Sequence, residues 1–209
     1  GTGATSPDSS LSFTYSFNLN GTEYYQHIRG ARPTSGTLSV SRGMWDQSMT
    51  FIAKDITVPA TSTGDGGTPV YQSAETASSP VVHSDGGGSP FTYNSVSYGE
   101  RSFSTTVNRN MAVMAVNGET DITYTKATDR SITFTADVFS GTASNETSLY
   151  TLYESKDADA ASYKFNTGPT VTLSYSNAVI TDYSYTHAAG SADALIESIT
   201  CRAESCTNL

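Results

Sequence analysis

Alternation of apolar and polar positions organises most of this chain. In Ser131-Ile132-Thr133-Phe134-Thr135-Ala136-Asp137-Val138, the residues Ile132, Phe134, Ala136 and Val138 fall on one side and the polar residues on the other. That period of two marks a half-buried strand. Small residues at 140–144 lead to Asn145-Glu146, a cap residue followed by an acid. Leu149, Tyr150, Leu152 and Tyr153 then follow at helical spacing, which predicts one short amphipathic helix. After Asp157-Ala158-Asp159 the period of two returns at Tyr163 and Phe165. It breaks at Gly168-Pro169 and resumes through Val171, Leu173 and Tyr175, then Val179, Tyr183 and Tyr185. The helix is therefore expected as an insert among strands.

Towards the N-terminus, residues 1–10 are small and polar and read as a flexible arm. Leu11, Phe13, Tyr15, Phe17 and Leu19 alternate with polar residues in the clearest strand of the sequence. Asn20-Gly21 predicts a hairpin turn returning through Tyr24 to Ile28. Gly30-Ala31-Arg32-Pro33 is expected to break that run. Leu38 and Val40 then belong to a further strand, and Met49, Phe51 and Ala53 to another that ends near Val58-Pro59. Residues 59–90 differ in character, with Gly/Ser/Thr/Asp-rich flanks around Val70, Tyr71, Val81 and Val82. A stretch this long without strand periodicity is either a linker or an arm that orders on a partner, and its apolar anchors favour the arm. Strand patterns resume at Phe91 and Tyr93, with Val96 and Tyr98 before a turn at Gly99-Glu100. Phe103, Thr105 and Val107 follow, then Met111, Val113 and Ala115 as a separate run, an Asn117-Gly118 turn, and Ile122 and Tyr124. Residues 194–203 show mixed periodicity around Leu195, Ile196 and Ile199, consistent with a strand buried on both faces. Roughly ten to twelve strand runs and one helix predict a mainly β fold, a sandwich or barrel with helical decoration, in a single domain over residues 11–209.

Composition narrows what such a fold could do. The chain has 209 residues, 36% of them apolar, enough for one good core without a metal or disulfide. No apolar run reaches the roughly 18 residues of a membrane-spanning helix, and the opening residues contain no signal-peptide pattern, so such a segment is expected to be absent or already removed. Eleven basic against twenty acidic residues give a net charge of −9, which argues against a phosphate-neutralising groove. With seven arginines and only Lys54, Lys126, Lys156 and Lys164, the acidic surface also suits high salt. Cys201 and Cys206 are five positions apart near the C-terminus and fit either a local disulfide or two free thiols.

Catalytic and ligand-binding signatures are scarce. His27, His83 and His187 form no spaced ligand pair. There is no nucleophile elbow, phosphate loop or dinucleotide fingerprint, so neither an enzyme nor a cofactor is expected. Asp157-Ala158-Asp159 opens like a calcium loop but lacks the downstream Gly and bidentate Glu, and a solvated loop is the better reading. Asn20-Gly21-Thr22 and Asn145-Glu146-Thr147 fit the glycosylation pattern, as Ser/Thr-rich chains do by chance. The thirteen tyrosines mostly occupy alternating positions and read as sheet packing, with a carbohydrate-stacking platform as the minor reading. Sheet edges that can pair and extended segments that can dock are the means by which subunits add to a symmetric ring.

Several stretches carry a resemblance to a known family: Pro90 to Tyr93, Arg101 to Asn110, Ser131 to Phe139, the helix, and Pro169 to Cys201 with its Asn177-Ala178-Val179-Ile180 centre. The first half adds Ile28-Arg29-Gly30-Ala31, Leu38-Ser39-Val40 and Met49 through Asp55. Together they resemble the tail tube, or major tail, proteins of long-tailed bacterial and archaeal viruses. The long segment 59–90 and the start without methionine depart from that family's usual plan. The resemblance implies a structural virion protein, assembled in the host cytoplasm into hexameric rings. Those rings stack with other tail proteins into a tube, through which viral DNA passes without specific binding and with no membrane contact. Such a channel should repel phosphate, so its lining is expected to be Ser, Thr, Asn, Asp and Glu, with Glu119 and Asp121 as acidic candidates. Val70, Tyr71, Val81 and Val82 are the candidate inter-ring anchors. The alternative is a secreted or surface β-sandwich binding module, lectin-like or fibre-like.

Overall fold

The computed structural model describes residues 11–41, 44–57, 60, 90–115, 122–139, 149–165, 171–187 and 195–208. The expected cap at Asn145-Glu146, the Asn117-Gly118 turn, the arm 1–10 and nearly all of segment 59–90 lie outside them. The described residues are mainly β. They form β1 (Leu11–Leu19), β2 (Thr22–Ser41), β3 (Met44–Ile52), β4 (Asp55–Ile56), β5 (Phe91–Tyr93), β6 (Val96–Tyr98), β7 (Glu100–Ala115) and β8 (Ile122–Phe139). A helix, α1 (Leu149–Ser155), precedes β9 (Asp159–Phe165), β10 (Val171–His187), β11 (Leu195–Ala203) and β12 (Ser205–Thr207). The hydrogen-bonded path is β1-β2-β7-β8-β11-β10-β9-β5-β6, with β12 paired to β10 and β3 and β4 paired to β2. The chain divides into two compact units. One comprises residues 1–35, 49–78 and 109–130, and the other 36–48, 79–108 and 131–209.

In the first unit, β1 and β2 form the expected hairpin. Asn20 and Gly21 both have positive φ, 50° and 82°, the pair of left-handed residues that a two-residue hairpin loop requires. The Asn18 side-chain oxygen accepts a bond from the Gly21 amide at 2.9 Å. Pairing runs from Leu19↔Thr22 to Phe13↔Ile28, then shifts so that Leu11 faces Ala31. The expected break at Gly30 to Pro33 does not occur, because β2 continues to Ser41. Gly30 absorbs the extra residue of this bulge with φ +61°, and a Cβ there would lie 2.9 Å from the Lys54 Cβ. Pro33 lies beyond the last β1 pair, so its missing N–H costs none of the β1 bonds.

The second unit contains the core. Phe91, Tyr93, Val96, Tyr98, Phe103, Ile132, Phe134, Ala136, Val138, Leu173, Tyr175, Ile180, Ile199 and Cys201 are all buried. Strands far apart on the hydrogen-bonded path meet across this core. Phe103 of β7 stacks on Tyr163 of β9 with centroids 4.1 Å apart, and Phe91 of β5 packs edge-on to Phe134 of β8. The Tyr93 hydroxyl donates to the Ala178 carbonyl at 2.8 Å. The sheet of this unit therefore curls over its own aromatic interior. Its entry hairpin, β5–β6, turns on Asn94 and Ser95, again both at positive φ.

Several expected strands prove to be parts of longer ones. The runs at Phe103 to Val107 and Met111 to Ala115 are one strand, β7. Those at Ile122-Tyr124 and 131–138 are likewise one strand, β8. The two runs between Val171 and Tyr185 join in β10 through two register shifts, between Tyr175 and Ala178 and between Ile180 and Asp182. Asn177, at φ 48°, sits in the first. Each shift reverses the parity of the strand, which keeps Leu173, Tyr175, Ala178 and Ile180 in the core and Tyr183 packed against it. The β11 strand is buried on both faces only in its first part: Ile196 and Ile199, of opposite parity, are both buried, whereas further on Cys201 and Ala203 are buried and Arg202 is exposed. Helix α1 buries Leu149 and Leu152 and ends where Lys156 takes a left-handed conformation, φ 57°, a common helix stop. Both cysteines are free thiols, Cys201 buried and Cys206 half-buried.

Candidate functional site: two contrasting sheet faces

Alternation of the β1 type ordinarily turns the apolar side towards a core. Here that side is open. Leu11, Phe13, Tyr15 and Leu19 are 48%, 38%, 57% and 56% exposed, and Met49 and Ile56 are also exposed. Residues directly opposite one another in a ladder share a face, so the pairs Phe13↔Ile28 and Ile28↔Ile56 place these three side chains together. Phe51 meets Phe13 edge-on at 5.2 Å, and Tyr15, Phe17 and Tyr24 form a stacked row at 5.7 Å spacings. This contiguous aromatic and aliphatic surface lies beside an edge: among the described residues, β1 pairs only with β2. The opposite side carries Thr14, whose hydroxyl is 3.0 Å from His27 Nδ1.

A different face is found on the second unit, on the side of β7, β8 and β11 away from the core. Thr105, although polar, points inward and is fully buried, with its hydroxyl donating to the Thr133 carbonyl at 3.3 Å. Its neighbours Ser104 and Thr106 point outward by alternation, as do Thr133, Thr135 and Asp137 on β8. Register sets Thr135 opposite Thr200 and Asp137 opposite Ser198. Asp137 accepts hydroxyl bonds from Ser102 at 2.7 Å and Ser198 at 2.6 Å, one on each carboxylate oxygen, which fixes it across three strands. Arg202, opposite Thr133, is the basic residue of this hydroxyl-rich surface.

One ionisable group of the second unit is poorly solvated. Glu100 Oε1 accepts a bond from the Tyr163 hydroxyl at 2.5 Å, while Oε2 is buried without a partner. Burial pushes its carboxyl up from 4.5 to about 7, and the tyrosine bond only partly opposes this. Such a group raises the candidacy of a site, but among the described residues no nucleophile–base pair accompanies it. Among the described residues, no group of three or more His, Cys, Asp and Glu could hold a metal ion. Asp157 is exposed in the turn before β9, and Asp159 begins that strand.

Glu119 and Asp121, the acidic lining candidates, and Val70, Tyr71, Val81 and Val82, the inter-ring candidates, lie outside the described residues. The open face of β1 was missed as a surface, because a period of two reports that one face is apolar and not what covers it. The Ser102-Asp137-Ser198 bridge was hidden for another reason: its members are 35 and 61 positions apart. No helix of the described residues is long and apolar enough to cross a membrane. No protein-family model matches the sequence, and a comparison with curated proteins finds no match.

Proposed function

We propose that this chain is a structural subunit that completes its first unit by association with copies of itself, in the manner of the viral tail tube proteins it resembles. The observation that carries this reading is the open apolar face of β1, with Leu11, Phe13 and Tyr15 exposed on a strand that, among the described residues, pairs only with β2, and Ile56 of β4 exposed on the same face. Exposed apolar surface next to unpaired strand backbone invites an added strand and a covering sheet. A homo-oligomer supplies both from an identical chain. In this reading the copies close into rings, six by family resemblance. The rings stack into a tube in the virion tail, in contact with other tail proteins.

The hydroxyl-rich face of β7, β8 and β11 suits a channel lining. Serine and threonine side chains hold water, and Arg202, the one basic side chain that register places on this face among the described residues, offers few counterion-releasing contacts to a passing duplex. DNA then slides rather than binds. The acid excess of the whole chain, −9, acts in the same direction. The mechanism contains no chemical step.

Negative-stain electron microscopy and sedimentation velocity across a range of concentrations test the reading. Hollow rings or tubes are expected, and replacement of both Phe13 and Tyr15 by Asp should return a folded monomer. A wild-type chain that stays monomeric at millimolar concentration would overturn the proposal and favour the binding-module alternative.

A further inference from the structure

A second surface, in the other unit, has a different chemistry. Tyr183 and Tyr185 alternate on β10, and register sets Tyr185 opposite Glu197 of β11. The Tyr183 hydroxyl donates to Glu197 Oε2 at 3.0 Å. Helix α1 lies over this end of the strand, with Tyr150 and Tyr153 placed 5.5 and 6.0 Å from the Tyr183 ring. On the helix, the Tyr150 hydroxyl donates to Glu154 Oε1 at 2.6 Å. Tyr150 is 47% and Tyr185 64% exposed.

Three features of this patch select one kind of ligand. Each of two tyrosines donates its hydroxyl to a carboxylate, which holds the ring in place and makes its face more electron-rich. Burial and Glu197 push the Tyr183 phenol up to about 12, and Glu154 raises that of Tyr150, so both remain donors at neutral pH. Beside the patch a cation already sits on an aromatic face, since the Lys156 ammonium lies 3.3 Å from the Tyr153 ring centroid and donates to the Ile180 carbonyl at 3.4 Å. Aromatic faces flanked by carboxylates match a planar guanidinium, which stacks on the ring while its N–H fork meets the acid. A neutral ligand would gain nothing from the two carboxylates' charge.

We infer that Tyr150, Tyr183, Tyr185, Glu154 and Glu197 form a docking patch for an arginine side chain of a basic partner segment. This inference stands apart from the self-assembly reading, because it concerns other residues and a partner of opposite charge.

The test is a calorimetric or NMR titration of the full chain with hexa-arginine, hexa-lysine and maltohexaose. Hexa-arginine should bind more tightly than hexa-lysine, maltohexaose should not bind, and affinity should fall as salt rises. Tyr185→Ala, at an exposed position, should weaken hexa-arginine binding about threefold, and Glu197→Gln about tenfold. Asp182→Asn, on the same strand but outside the patch, controls for general attraction to an acidic protein and should change little. Equal losses in all three variants, no binding of hexa-arginine, or binding of maltohexaose in its place would each overturn the inference. A change in the far-ultraviolet spectrum of Glu197→Gln transfers the decision to Tyr185→Ala.

Discussion

The two compact units contain similar alternating strands but solve the burial problem in opposite ways. In the second, β strands curl so that Phe91, Phe103, Phe134, Tyr163 and Tyr175 meet, and nearly every apolar position of the alternation is buried. In the first, Ala31 is the one buried apolar side chain among the described residues, while Leu11, Phe13, Tyr15, Leu19, Met49, Ile56, Val113 and Met114 are exposed. Hydrophobic burial is worth about 25 cal/mol per Å², so the second unit has an internal source of stability and the first leaves much of its own unused. The difference teaches that amphipathic patterning specifies a face that needs covering, and that the covering group need not belong to the same chain.

The largest effect should come from the centre of the second unit. Phe103→Ala removes the ring that stacks on Tyr163 at 4.1 Å and also contacts Phe91 and Phe134. A loss of about 3–5 kcal/mol is expected in chemical denaturation, the usual cost of a large core truncation. A loss below about 1 kcal/mol would mean that this interior is loosely packed, and the contrast between the units would fail.

Next comes the buried acid of the same unit. Glu100 has a folded-state pKa raised from 4.5 to about 7 by burial. Its contribution to stability is therefore fully present below 4.5 and is lost as pH rises through 7, because the unfolded chain ionises first. Allowing for partial solvation, the loss amounts to about 2 kcal/mol. Glu100→Gln keeps an acceptor for Tyr163 and cannot ionise, so it should stabilise the chain at pH 8 and be nearly neutral at pH 4. Parallel pH profiles for the two chains, measured by urea unfolding, would refute this account.

A smaller effect is expected at the bulge of the first unit. Gly30→Ala forces a side chain into a left-handed conformation and sets its Cβ 2.9 Å from the Lys54 Cβ. A cost of about 1–2 kcal/mol follows. It should weaken the β4 contact, where the Lys54 amide bonds the Arg29 carbonyl at 3.0 Å, more than the aromatic core of the other unit. Hydrogen exchange resolves the two.

Legibility in the sequence followed the same division. The strands Leu11–Leu19 and Ser131–Phe139, the helix at Leu149, and the Asn20-Gly21 turn were readable because each depends on local spacing or a local left-handed residue. What escaped was non-local. The β10 strand looked like two pieces because its register shifts reset the parity, and Pro33 looked like a stop because the sequence does not reveal that it lies beyond the last β1 pair. The Asp137 bridge, the Glu100–Tyr163 contact and the tyrosine patch bring together side chains from separate strands that no spacing rule connects. Exposure of the β1 face was unreadable for a deeper reason: the same alternation serves a core or a partner.

The smallest effect on the isolated chain tests the comparison most directly. Tyr15→Ser removes a ring that is 57% exposed and stacked on Phe17 at 5.7 Å. Because most of that ring's surface already faces water, the chain's own stability should change by less than about 0.5 kcal/mol, far below Phe103→Ala. In the assembled state the ring would lie against another copy, where a buried aromatic anchor contributes about 2 kcal/mol or more. The same substitution should therefore raise the concentration needed for assembly about thirtyfold, as read by sedimentation, while the unfolding midpoint of dilute monomer hardly moves. If both quantities shift together, the β1 face is covered from within its own chain. If neither shifts, the face is a solvated surface, and the first unit's exposed apolar residues have no assembly role.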